Sequence, residues 1–185
     1  RGAMEQQRFK SLLRRIAMGE IKVKVGLENY DDRVRYKDGH ITEKDIRRQE
    51  VDAVVDTGAV MTLLPQDLVE SLGIEIFGRT VVALANDERI TLDKAGALSM
   101  TVAGRNMRTD CLVGPPGCEP LIGQIVLEEL DLIVDPNRRT LTPRPESPYL
   151  PTLKLKVLGN LRQPEQTADA FGRDRLEALA PDAFA

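Results

Sequence analysis

The part of this sequence best suited to chemistry is a carboxylate at the end of an apolar run. Residues 53 to 58 read Ala-Val-Val-Asp-Thr-Gly, so a strand-like segment delivers Asp56 into a turn shaped by Thr57 and Gly58. Such an acid has a fixed position, a hydroxyl neighbour and a closely approaching backbone, which suits a general acid or base. The chain contains a single Asp-Thr-Gly. The other reactive side chains offer less. His40 is the only histidine and lies in a polar stretch beside Gly39, with no nucleophile motif to accompany it, so serine or cysteine hydrolase chemistry is not expected. Cys111 and Cys118 sit seven apart with no ligand cluster around them. That spacing fits neither a zinc site nor a disulfide framework, and the pair reads as free, buried thiols in a reducing compartment. No metal and no cofactor is expected. Asp135 also ends an apolar run, but Pro136 follows it in place of Thr-Gly, which reads as a structural turn. Asp52, on the strand into the catalytic turn, is given no role.

The elements that must hold Asp56 follow from patterning. Glu20 to Leu27 places Ile21, Val23, Val25 and Leu27 on one face, a half-buried strand. Residues 28–50 are polar and read as a surface insertion, with Asp38-Gly39 as a turn and Thr42-Glu-Lys-Asp as a helix start. Val51 to Asp56 enters the turn, Met61-Thr-Leu-Leu leaves it, and Pro65 opens a short helix over Gln66 to Leu72 that Gly73 stops. Thr80 to Leu84 and Arg89 to Leu92 read as a protruding hairpin. Residues 97–103 and Met107 to Val113 read as a second one, turning at Gly104-Arg-Asn and ending at Gly114-Pro-Pro-Gly. Leu121-Ile122-Gly123 precedes a helix over Gln124 to Leu130, then a strand to Asp135 that Pro136 ends. The proline-rich stretch 137–151 reads as extended. Residues 152–157 alternate as a strand that pairs with the first strand or with another chain, and Arg173 to Ala180 has the composition of a short helix. Many short strands at turn-marked intervals, with few helices, indicate an all-β fold built as a small barrel or folded-over sheet.

Composition bounds the function classes. With 42% apolar residues the chain can build a core, and with a net charge of −3 and scattered basic residues it carries no nucleic-acid footprint. Apolar stretches fall far short of the roughly 20 residues that a membrane helix needs. The N-terminal residues lack a continuous apolar region and a small-residue cleavage pattern, so no secretory signal and a cytoplasmic location are expected. Residues 1–17 read as an N-terminal extension, with Arg1 to Met4 a cloning remnant and Met18 the natural start.

Asp56-Thr57-Gly58-Ala59 after an apolar strand, Thr62-Leu63-Leu64 after the turn, a hairpin some twenty-five residues on, then Leu112-Val113-Gly114-Pro115 and Leu121-Ile122-Gly123 before a short helix form an ordered set. In that order the chain resembles the retropepsin-like aspartic proteases, specifically the bacterial single-domain group of retroviral type. The resemblance runs from about Met18 to Val157, leaving 158–185 as a C-terminal tail. It implies a closed, barrel-like acid protease fold with one short C-terminal helix and a flap hairpin. It also implies a homodimer in which each chain gives one Asp-Thr-Gly, and a polypeptide substrate. Asp56 becomes the catalytic acid or base. Thr57 hydrogen-bonds across the dimer, Gly58 allows backbone contact with the carboxylates, and Ala59 lines the cleft. Thr62, Leu121, Ile122 and Gly123 pack beside the turn, and Leu84, Ala85, Asn86, Asp87 and Glu88 close over the substrate.

Peptide hydrolysis without a metal or covalent intermediate gives its own reason for two carboxyls: one must activate water while another supplies a proton. Two carboxyls about 3 Å apart share one proton and titrate as a pair, for which aspartic proteases are the standard worked case. A chain with one such turn reaches two through a two-fold axis. The sequence departs from the family at Val60 and Met61, where viral relatives place polar or acidic residues. It departs again at the hairpin tip, which lacks glycine, and at Leu84, where bacterial relatives often have an aromatic residue. These departures imply an apolar cleft and a stiffer flap. They keep open the alternatives of a catalytically weak peptide-binding or dimerisation module and of a purely structural β domain.

Overall fold

Alternation of apolar and polar residues builds the first strand, β1 (Lys22–Asn29), which buries Val25 and Leu27 and exposes Lys22 and Lys24. The computed structural model describes residues 20–84 and 87–153. β1 pairs antiparallel with β2 (Arg48–Val55) from Lys22↔Val54 to Glu28↔Arg48. Beyond the Asp56 turn come β3 (Leu63–Pro65) and helix α2 (Gln66–Leu72), then the long strands β4 (Glu75–Ala83), β5 (Arg89–Val102) and β6 (Arg105–Gly114). The two-residue β7 (Leu121–Ile122), helix α3 (Gln124–Glu129) and the β8 (Leu132–Asp135) to β9 (Thr140–Pro143) hairpin complete the described chain.

The strand order is β1-β2-β7-β3-β6-β5-β4, and β1 also pairs with β5. β1, β2, β7, β3, β6 and β5 therefore form a closed ring. β4 takes Arg89 to Gly96 of β5 and β1 takes Leu98 to Val102, so β4 and β1 occupy successive stretches of that strand. The principal core fills the ring with Leu27, Leu64, Leu72, Leu98, Met100 and Ile122, each almost wholly buried. The all-β expectation holds, in the form of a ring of strands.

Three details correct the sequence reading. The stretch 28–50 is not one polar insertion: Glu28 and Asn29 finish β1, residues 48–50 begin β2, and between them lies helix α1 (Tyr30–Lys37). α1 lacks an apolar stripe, so periodicity misses it, but its ends carry Asp31 and Asp32 in the first turn and Arg35 and Lys37 in the last, as the helix dipole favours. Among the described residues the fold thus holds three α-helices, α1 in addition to the two that the sequence predicts after Pro65 and after Gly123. The first hairpin is much longer than Thr80 to Leu92, and residues 140–143 of the proline-rich stretch pair with β8. A single 3₁₀ turn, Glu43–Asp45, does form where Thr42 predicts a start, with a capping box between Thr42 and Asp45. Residues 1–17, Met18, Ala85, Asn86, the strand over 154–157 and the tail 158–185 lie outside the described residues.

α1 is stapled to the body by buried polar groups. Asn29 Oδ1 accepts the Asp32 N–H at 3.0 Å while Asn29 Nδ2 donates to Leu72 O and Gly73 O at 2.9 Å, so one side chain caps the start of α1 and the end of α2. Arg47 forks onto the buried Asp32 carboxylate at 2.7 and 2.9 Å and holds its pKa below the ordinary value. Gly73 ends α2 at φ 60, and the Arg47 guanidinium occupies the place where a Cβ would stand, 1.5 Å from Nη1. Cys111 and Cys118 are both buried. Burial, aided by the neighbouring Asp110, pushes the Cys111 thiol up to about 12. Iodoacetamide at pH 8 is therefore expected to leave Cys111 unmodified in the native protein and to alkylate it in denaturant, as read by peptide mass; native labelling at an unfolded rate would contradict this burial. Among the described residues no helix is long and apolar enough to cross a membrane, and no group of three or more His, Cys, Asp or Glu could hold a metal ion.

Candidate active site

The end of β2 gains a second partner. Val54 and Val55 pair in parallel with Leu121 and Ile122 of β7, with Val54 N–H donating to Pro120 O at 2.9 Å and Asp56 N–H to Ile122 O at 3.0 Å. β7 in turn meets β3 antiparallel at Leu63↔Leu121, and β3 runs parallel to β6 from Leu63↔Leu112. The chain thus enters and leaves the Asp56 turn on two strands that clasp β7 between them.

Within the turn, Gly58 N–H donates to Asp56 Oδ1 at 2.8 Å and Ala59 N–H to Asp56 O at 3.3 Å. The carboxylate is half-buried; Thr57 and Gly58 are exposed and Ala59 is half-buried. The bond from Gly58 is the self-capping of an ordinary Asx turn, and it also fixes Oδ1 for any chemistry the acid performs. A Cβ on Gly58 would stand 3.2 Å from Oδ1, so the absence of a side chain keeps that approach open.

Gly123 is the tightest point of the clasp. A Cβ there would lie 2.7 Å from both Ala59 O and Met61 O and 2.8 Å from Met61 C, so β7 can pass behind the turn only as glycine. Immediately after it, Gln124 N–H donates to Ala59 O at 2.7 Å and Ile125 N–H to Val60 O at 3.1 Å. The first amides of α3, which a helix leaves without internal partners, are spent on the carbonyls of the turn. Thr62 is buried, its carbonyl accepting Leu112 N–H at 2.8 Å. Among the described residues nothing hydrogen-bonds its buried hydroxyl.

The structure places Asp56, Thr57, Gly58, Ala59, Thr62, Leu121, Ile122 and Gly123 in one neighbourhood. The β4–β5 hairpin leans on the same place. A second apolar cluster of Leu63, Leu112 and Cys118 is flanked by the partly buried Met61, Val82, Leu92 and Leu121, so residues of the hairpin pack against residues beside the turn. At the hairpin tip Leu84 N–H donates to Glu88 O at 2.8 Å and Asp87, at φ 63, donates to Leu84 O at 2.9 Å; Ala85 and Asn86 are not described. Val82, Leu92 and Ile125 escaped sequence reasoning as neighbours of the turn. The alternation of residues 80–92 carried the signal for the first two.

A family model described as gag-polyprotein putative aspartyl protease matches residues 42–129, which span β2, the Asp56 turn, the hairpin, β7 and α3. This segment is similar to the retropepsin-like aspartic proteases. Order of elements, ring of strands and family match agree on one architecture. Within the matched segment the conspicuous acid on an accessible turn is Asp56. No curated protein matches the chain significantly.

Proposed function

We propose that the protein is an aspartic endopeptidase that works as a homodimer, with Asp56 of each copy forming the catalytic pair. The observation that carries this reading is the clasped turn: a half-buried carboxylate fixed by Gly58, backed by Gly123, and single in its chain. A two-fold axis beside the turn lets the two carboxyls share a proton, one activating water and the other protonating the amide as the carbon–nitrogen bond breaks. Thr57, exposed beside Asp56, suits contact between the two turns. Leu84, Ala85, Asn86, Asp87 and Glu88 suit closure over a bound peptide. Met61, Val82, Leu92 and Leu121 offer an apolar wall, which favours extended segments with apolar side chains near the scissile bond.

Dilution tests the reading directly. Cleavage of a mixed peptide library is expected between acidic and mildly acidic pH, because one carboxyl must keep its proton, and turnover per chain should fall as the protein is diluted below its dimer dissociation constant. Sedimentation under the same conditions measures that constant independently. Turnover per chain that stays constant through dissociation would rule out a shared pair. An undigested library combined with measurable peptide affinity would instead assign the chain to peptide binding without catalysis.

A further inference from the structure

The helix behind the Asp56 turn is held at both ends. Its N-terminal amides grip Ala59 O and Val60 O; its C-terminus leaves through Asp131, whose φ of 48 lies in the left-handed region that L-residues seldom adopt. Around that strained exit stands a cluster of buried polar groups. Arg105, the first residue of β6 and 7% exposed, donates through Nη1 to Leu130 O and, at 3.0 Å, to Asp131 O, and through Nη2 to Ser147 O. The buried Asp131 carboxylate accepts the Ser147 hydroxyl, Arg144 Nε at 2.8 Å and Thr152 N–H at 3.2 Å. Arg144 N–H adds a bond to Asp131 O at 3.1 Å.

Burying a guanidinium costs several kcal/mol, and an apolar side chain at the start of β6 would avoid that cost. Arg105 offers something an apolar residue cannot: it holds the carbonyls of Leu130 and Asp131, just past the end of α3, and the carbonyl of Ser147 at once. Its positive charge at a helix C-terminus is also favourable for the dipole. Asp131 answers from the other side with three donors on its carboxylate.

We propose that Arg105 and Asp131 are positioning residues that lock α3 along its axis and so hold the Asp56 turn in place. The six residues of α3 cover only about 9 Å, a single stiff element between latch and turn. A shift at Leu130 is passed to Gln124 and Ile125, and from them to the carbonyls of Ala59 and Val60. The latch also persists in acid. The Ser147 hydroxyl first, then Arg144 and Thr152, hold the Asp131 carboxyl down to about 2 from its ordinary 3.8. A depressed carboxyl contributes stability that is fully present above the ordinary value and lost as pH falls through the lower one, so in mildly acidic solution the Asp131 carboxylate still accepts its three donors.

The functional half of this inference rests on Asp56 being catalytic; the mechanical half does not, and amide exchange on the full chain separates them. In Arg105→Gln, exchange of the Gln124 and Ile125 amides is expected to speed by at least about tenfold, with Arg105→Lys restoring most of the protection. In peptide cleavage, kcat should fall by about tenfold with KM little changed, because the turn is displaced while the apolar wall is not. If Arg105→Gln does not fold, Ser147→Ala, which removes one donor from Asp131, carries the same comparison with smaller effects. Faster exchange confined to residues 147–152, or faster exchange at Gln124 with kcat unchanged, overturns the proposal. A wild type that cleaves nothing refutes the peptidase reading, and exchange at Gln124 then decides the mechanical coupling alone.

Discussion

Asp56→Asn is expected to abolish peptide cleavage and, added to the wild type, to poison it. The carboxylate is half-buried on the turn and accepts Gly58 N–H through Oδ1, a bond an asparagine carbonyl can also accept, so the substitution keeps the turn and removes only the titrating group. The loss should exceed about 10³-fold, since neither partner of a shared-proton pair can act alone as base and acid. Mixing sharpens the expectation. If each active unit needs two aspartates, an equal amount of Asp56→Asn lowers the rate of a fixed amount of wild type to about half by random pairing, and a ninefold excess to about a tenth. A monomeric enzyme would show no change on mixing. Equal melting temperatures for the two forms are the control for folding; a variant that melts early would move the blame from chemistry to the turn.

The Asp56 turn and its clasp were legible in the sequence because they are written in local signals. An apolar run ending in Asp-Thr-Gly, an exit through Thr62-Leu63-Leu64 and a stop at Gly123 before a helix each have a short-range cause, and the structure joins them by parallel pairing of Val54 and Val55 with Leu121 and Ile122. The hairpin was legible in kind but not in length, since Gly78 and Gly96 interrupt the alternation where the pairing register shifts, Gly78 against β5 and Gly96 against β6. Helix α1 escaped because its stability comes from Asn29, Asp32 and Arg47 and not from an apolar face. The latch at Arg105 escaped for a deeper reason. Arg105, Asp131 and Ser147 are separated by 26 and 16 residues, each reads alone as an ordinary surface residue, and only the fold brings them into contact.

Gly123→Ala is expected to be the most damaging single-methyl change near the site. The added carbon would sit 2.7 Å from Ala59 O and Met61 O, where ordinary contact begins at 3.4 Å, and the atoms it meets are backbone already committed to the turn. A side chain could swing aside; these carbonyls cannot, because Ala59 O also receives Gln124 N–H at 2.7 Å. Relief requires β7 and the turn to separate, which stretches the Gln124 bond and drags Asp56 N–H from Ile122 O. Overpacking of this kind costs about 3 kcal/mol, or about 6–12 °C in melting temperature for a chain of this size. Gly78→Ala is the matched control: its Cβ meets nothing within 4 Å, so stability should hardly move. Gly114→Ala lies between the two, since the nearest atom is the Cys118 Sγ at 2.6 Å, a side chain with some freedom to turn. Peptide cleavage should fall further in Gly123→Ala than the folded fraction explains, because the part of the molecule that yields is the part that carries Asp56. Equal losses of activity and folded protein would mean that the clasp supports the ring of strands and leaves the carboxylate to its own turn.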